Sequence, residues 1–238
     1  MTTSEFVASL KEAFGDNVQL PIAFSFSDTP LTEPKEGLRC LVGVFPKVRK
    51  GSPVTLADKF LTCGGGMVYM GTSPFTDRIP NFVSNIEKYQ KTPDMVREYV
   101  ENLHVTPANK PYFNLQRVDT LDSWDGIEGL IFFATPDVLS GLCAWTFYDD
   151  NSESAVITRF ASGCASLITM AVTENRKENG HSCFLGGFDP SARAMMQANE
   201  MTFVIPSCRL HTMLDNLREC CLFGTEGWGR IHKRITAE

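Results

Sequence analysis

The sequence predicts an α+β fold, a mixed or mainly antiparallel sheet with helices packed on it. Three observations lead there. Several short segments alternate apolar and small or polar residues with period two, as half-buried strands do. Others repeat their apolar residues every third or fourth position, as amphipathic helices do. The two kinds do not alternate strictly, as a doubly wound parallel sheet would require. With 238 residues, 43% hydrophobic and 21% charged, the chain buries enough surface to fold without staples. It reads as a single domain over 1–238 with two similar halves, 1–110 and 111–238. Ile22-Ala-Phe-Ser-Phe-Ser precedes Cys63-Gly-Gly-Gly much as Leu130-Ile-Phe-Phe-Ala-Thr precedes Gly163-Cys164-Ala-Ser.

Thr3 or Ser4 caps a first helix on which Phe6, Leu10 and Phe14 recur, and Gly15 ends it in a left-handed turn. Ile22, Phe24 and Phe26 share one face of a strand over 20–27. A short helix is expected over Thr55–Phe60, running into the triple glycine. The segment 80–103 is helical and broken at Thr92-Pro93, where the threonine caps and the proline takes the first helical position. The restarted helix aligns Val96, Val100 and Leu103. Strands follow at 112–118 and at 129–134, the second apolar throughout and suited to the middle of a sheet. A helix over 137–147 carries Cys143 and Trp145 inward. A strand over 155–160 and a helix over 167–172 lead to a strand at Cys183 that loosens into Gly186-Gly187. Asp189 caps a turn with Pro190 at its first position, 201–205 is a strand, and Ser207 caps a closing helix with Leu210, Leu214, Leu217 and Cys221 in one stripe.

The formal charge of -6 and pI near 5.3 oppose a phosphate-backbone partner, so no nucleic acid is expected. The first residues lack the basic and apolar regions of a signal peptide, and no apolar run is long enough to cross a membrane. A cytoplasmic protein is expected. Its eight cysteines should then be reduced thiols, available for packing, metal ligation or catalysis, and none forms a CxxC pair.

Candidate chemistry gathers at two glycine-flanked cysteines. In Cys63-Gly64-Gly65-Gly66, glycines leave the backbone open to a close approach, and amides opening a helix suit a phosphate or carboxylate. Close packing of neighbouring segments would equally call for such glycines. Gly163-Cys164 also opens a helical stretch, where the dipole would lower the thiol pKa and favour a nucleophile or soft-metal ligand; an inert buried thiol is the alternative. Cys63 and Cys164 are therefore the candidate catalytic residues. Arg193, close to Gly186 and Gly187 in sequence, is expected to bind a small anionic molecule at the rim of the same pocket. Cys40, Cys63, Cys164 and Cys183 are the candidate ligands for zinc or an iron-sulfur cluster.

An ordered series of motifs extends these readings: Pro21-Ile-Ala-Phe, Arg39-Cys40 with Lys50-Gly51, Thr55-Leu-Ala-Asp, Cys63-Gly-Gly-Gly to Gly71, Gly163-Cys164-Ala, Leu185-Gly-Gly-Phe-Asp-Pro-Ser-Ala-Arg193 and Glu200-Met-Thr-Phe-Val-Ile-Pro206. In this order they resemble the ArCR family, domain of unknown function 169, from about Pro21 to about Leu217. The resemblance implies an uncharacterised prokaryotic family without an assigned reaction, matched at Cys40, Cys63 and Cys164. Family members often carry Gly-Cys-Asp-Gly-Ser-Arg where this chain has Gly186-Gly-Phe-Asp-Pro-Ser-Ala-Arg193, so a cysteine expected near Gly187 is missing and Cys183 stands in from upstream. Three functions follow as expectations. The first is a pocket for a small anionic ligand or cofactor, the second a zinc or iron-sulfur protein, and the third a cysteine-dependent enzyme acting on a small acidic metabolite or thioester.

Overall fold

The computed structural model describes residues 1–37, 39–57 and 61–237. Helix α1, Thr3–Phe14, opens with a capping box one residue earlier than expected: the Thr2 hydroxyl accepts the Glu5 amide while the Glu5 carboxylate accepts the Thr2 amide, and Gly15 closes the helix at φ 87°. Strand β1, Ile22–Ser27, follows, then α2, Phe45–Arg49. The expected helix beginning at Thr55 is instead strand β2, Val54–Ala57. Pairing with a later strand overrides the local reading, because Val54, Thr55 and Leu56 are all buried in the sheet. Asp58, Lys59 and Phe60, the rest of that expectation, lie outside the described residues.

Helix α3, Gly64–Tyr69, contains the triple glycine. Next come α4, Arg78–Asn81, a π-helical turn over Phe82–Ile86, and α5, Pro93–Glu101, capped by Thr92 as expected. Strands β3, Tyr112–Arg117, and β4, Gly129–Ala134, lead to α6, Pro136–Thr146. The remaining elements are β5, Val156–Thr158; a π-helical turn over Ala165–Thr169 continuing as α7, Met170–Glu174; β6, Cys183–Gly186; α8, Pro190–Arg193; β7, Met201–Pro206; α9, Ser207–Asn216; and α10, Glu226–Thr236. The expected stripe on α9 holds for Leu210 and Leu214. Cys221 lies past the helix end and is exposed, while Cys220 takes the buried position.

The seven strands form one sheet in the order β2-β3-β1-β4-β7-β6-β5. All neighbours are antiparallel except β5 and β6, so the sheet is mixed and mainly antiparallel and the fold is α+β. Helices cover both faces. The period-two alternation sorts side chains between the two cores: Ile131 and Phe133 of β4 join one, and Leu130, Phe132 and Ala134 the other. The first core packs under α2, α3, α5 and α7. The second packs under α1, α6, α9 and α10, with Trp145 fully buried at its centre. Burying both faces explains why β4 reads as an unbroken apolar run.

Candidate functional site

On the face covered by α3 and α5, the chain encloses a cavity of about 1070 Å³. Cys40, Cys63, Gly64, Gly65 and Gly66 line one wall, and Gly163, Cys164 and Asp189 another. The two cysteine-glycine turns, about a hundred residues apart in sequence, therefore meet. Gly66 shows how closely: a Cβ built on it would lie 3.6 Å from Cys63 Cβ and 3.7 Å from Cys164 Sγ, and 2.8 Å from a Leu61 methyl group. A side chain there would require the tip of Leu61 to shift. At Gly64 a Cβ would meet nothing within 4 Å, so this glycine faces open space.

Cys63 is the N-cap of α3, its sulfur 3.4 Å from the Gly66 amide, and it is exposed. Cys164 is buried, and Cys40 is intermediate. Burial, reinforced by the negative charge that Cys40 and Cys63 would carry as thiolates, pushes the Cys164 thiol well above its ordinary value. Burial thus works against the lower pKa expected of a thiol at a helix N-terminus.

The Gly163-Cys164 turn is held by Asp189. Its carboxylate accepts the Gly163 amide at 3.0 Å, the Ser191 amide at 2.9 Å and the Ser191 hydroxyl at 2.7 Å. The aspartate foreseen as the cap of α8 therefore also pins the second wall of the cavity. Gly163 itself is tightly packed, since a Cβ would lie 2.7 Å from Ala192 Cβ and 2.8 Å from a Val42 methyl group.

Aromatic rings, with aliphatic side chains such as Val42, Ile79, Val83 and Val96, contribute to the remaining lining. Tyr69 and Tyr99 meet edge to face at 6.4 Å, Tyr89 and Phe160 at 5.8 Å, and the Arg159 guanidinium covers the Tyr99 ring at 4.8 Å. Burial, and next the nearby Cys164 charge, push the Tyr69 phenol up to about 12. Tyr99 is raised for the same leading reason, so both rings remain neutral. Arg39 and Arg78 line the cavity from exposed positions, and neither forms a salt bridge among the described residues.

Four expected site residues, Cys183, Gly186, Gly187 and Arg193, stand outside the cavity lining. Cys183 is the first residue of β6, and its side chain enters the second core, within 3.8 Å of Thr146 and Met213. The next residue, Phe184, faces the first core with Cys164. The sheet thus separates Cys183 from the other three candidate ligands. Among the described residues, no group of three or more His, Cys, Asp and Glu side chains is arranged to hold a metal ion. Gly186 lies against Ser166 and Thr202, while Gly187 makes a turn at φ 87°. Neither glycine lines the cavity. Arg193 donates to the main-chain carbonyls of Glu200 and of Ala198, the latter at 2.6 Å, fastening the loop between α8 and β7. Its charge is committed to carbonyl dipoles.

The aromatic contributors were missed from sequence because Tyr69, Tyr89, Tyr99 and Phe160 come from four separate segments and share no motif. Arg39 was adjacent to a quoted cysteine and was the one legible signal.

One seven-stranded sheet, helices on both faces and a cavity lined by thiols, glycines and tyrosines define an α+β protein with a large, partly open cavity on one face. The chain belongs to the uncharacterised ArCR family, whose model matches residues 18–216. No curated protein and no solved structure shows a significant match to it. No helix among the described residues is long and apolar enough to cross a membrane.

Proposed function

We propose that this protein binds a small amphiphilic anion: an aromatic or hydrocarbon body within the cavity, and a carboxylate or phosphate held by Arg39 and Arg78. The observation that carries this reading is the cavity itself. Its volume suits a ligand of cofactor size, its walls are largely apolar and aromatic, and few polar groups converge on it, the pattern of a small-molecule site. Arg39 and Arg78, which form no salt bridge among the described residues, take the anion-binding part in place of Arg193. Gly64 leaves room for the ligand to lie against the main chain.

The thiols favour a second reading only in reduced form. Cys40, Cys63 and Cys164 share the cavity lining, but no three such side chains among the described residues are arranged to hold a metal ion, so ligation of zinc or an iron-sulfur cluster would require these thiols to move together and a fourth ligand to join them. A cysteine-dependent reaction in the cavity would fall to Cys63, the exposed one of its three lining thiols, with Cys164 as an un-ionised neighbour. All eight cysteines are free, which fits a reducing cytoplasm, and the acidic balance fits a partner other than nucleic acid.

Thermal unfolding in the presence of flavin mononucleotide, coenzyme A and aromatic carboxylates tests the binding reading. A ligand at a hundred times its Kd stabilises by about 2.7 kcal/mol, and Arg39→Ala with Arg78→Ala should abolish the shift. No stabilisation by any of these compounds would reject it. Iron or zinc bound stoichiometrically after anaerobic purification, and lost in Cys164→Ser, would put metal ligation in its place.

A further inference from the structure

We propose that Ser154, His181 and Asp150 form a second site, a nucleophilic serine with its general base, outside the cavity. The hydroxyl of Ser154 lies 3.2 Å from His181 Nε2, and His181 Nδ1 lies 2.5 Å from Asp150 Oδ2. A base within hydrogen-bond reach of a hydroxyl, itself oriented by a carboxylate, is the arrangement that activates serine in unrelated folds.

The placement follows from the sheet. Strands β5 and β6 are parallel, with Val156 opposite Cys183, and the Cys183 amide donates to the Ala155 carbonyl at 2.8 Å. Ser154 and His181 each precede their strand's paired residue by two positions, so parallel pairing sets them side by side. The imidazole is positioned from both ends. The His181 and Ser182 amides donate to Glu174 Oε1 at 3.0 Å and 3.1 Å, and Glu174 is buried. Asp150 is held in turn by the Ser152 amide, 2.9 Å from its other oxygen.

An ionised carboxylate only accepts hydrogen bonds, so Nδ1 carries the proton and Nε2 presents its lone pair to Ser154. Burial works against ionisation of Asp150, but the hydrogen bonds from His181 and Ser152 outweigh it and hold the group at about 2. Ser154 is exposed and the imidazole partly so, which leaves the nucleophile open to reagents from solvent.

The chemistry this supports is acyl or phosphonyl transfer from a small activated ester. Ser154 Oγ forms a bond to the electrophilic carbon or phosphorus, and the bond to the leaving group breaks. The hydroxyl proton passes to His181 Nε2 and from there to the leaving group. Water, deprotonated by the same imidazole, then releases the acyl group and restores the serine. The exposed Ser154 reacts in contact with water rather than in a closed site, where a single preorganised oxyanion donor is worth about 10²–10³ in rate. Slow turnover is therefore expected, and covalent capture is the appropriate readout.

The full chain is treated with an alkyl fluorophosphonate, with a serine hydrolase in the same tube as a positive control, and the adduct is mapped by mass spectrometry. A single phosphonyl group on Ser154 is expected, absent in Ser154→Ala and forming at least tenfold more slowly in His181→Gln and Asp150→Asn. Ser154→Ala, at an exposed position, should melt as the native protein does. An unmodified Ser154 beside a fully labelled control, or undiminished labelling in His181→Gln, would overturn the proposal and leave the three residues as a loop clamp.

Discussion

Arg49 and Glu200, 151 residues apart, form a two-pronged ion pair at the start of the interior strand β7: NH1 to Oε2 at 2.9 Å and NH2 to Oε1 at 2.5 Å. The guanidinium also stacks on Phe133 at 4.7 Å and donates to Gln19 at 3.2 Å. Both side chains are largely removed from solvent, at 12% and 6% exposure, so neither charge is well hydrated without its partner. Glu200→Ala should therefore destabilise the fold by about 3–5 kcal/mol, the cost of stranding a buried charge. Urea unfolding measures it; a loss below 1 kcal/mol would mean that water reaches Arg49 more readily than this geometry allows.

The triple glycine offers a paired test of packing. Gly66→Ala would bring its Cβ to 2.8 Å from the tip of the Leu61 side chain, which must turn aside; overpacking costs about 1–3 kcal/mol, and the low end is expected where only a flexible tip has to give. Gly64→Ala meets open space and should stabilise α3 by up to about 1 kcal/mol through helix propensity. In the same Gly64 variant, any ligand found by thermal shift should bind more weakly, because the added methyl group enters the cavity. Equal effects of the two substitutions on stability would contradict the described packing.

Alkylation should distinguish the thiols by burial. Cys63 and Cys221 are exposed and should react first with iodoacetamide. Cys164 is buried and raised well above its ordinary value, and burial pushes Cys183 up to about 12. Both should remain unmodified until the protein unfolds. Peptide mapping after limited reaction gives the order; early loss of Cys164 would show the cavity open to its floor.

Acid sensitivity should concentrate at the loops around His181. Burial opposes ionisation of Glu174, but Lys177 and the amides of Ser182 and His181 outweigh it and lower its pKa; the same balance holds Asp150 at about 2. A carboxyl group whose folded pKa lies below its unfolded value contributes stability that is fully present above the unfolded value and is lost as pH falls through the folded one. Glu174→Gln and Asp150→Asn should thus flatten the decline in unfolding free energy from about pH 5 to pH 2. Parallel acid limbs in variant and native protein would refute this.

Much of the fold was legible wherever structure depends on neighbours along the chain. Phe24 and Ile22 declare their face by alternation, Thr92 and Pro93 start a helix by local hydrogen bonding and fixed φ, and Asp189 caps α8 by the same chemistry. The final helix was overlooked although Thr225 caps it and Trp228, Ile231 and Ile235 mark its inner face. Thr55 was misassigned because a four-residue strand carries too little pattern to reveal a partner sixty residues away. The glycine-flanked thiols Cys63 and Cys164 were legible as local motifs, but that they line one cavity together with Cys40 depends on packing between segments distant in sequence.

The exclusion of Cys183 and the diversion of Arg193 to main-chain carbonyls were decided in three dimensions. Successive residues of a strand face opposite ways, so one step from Phe184 to Cys183 moves a thiol from one core to the other. Which core holds the cavity depends on how distant strands pair. Local order along the chain specifies caps, periods and turns; only the packed sheet assigns each side chain to a face, and with it the side chains that can meet a ligand.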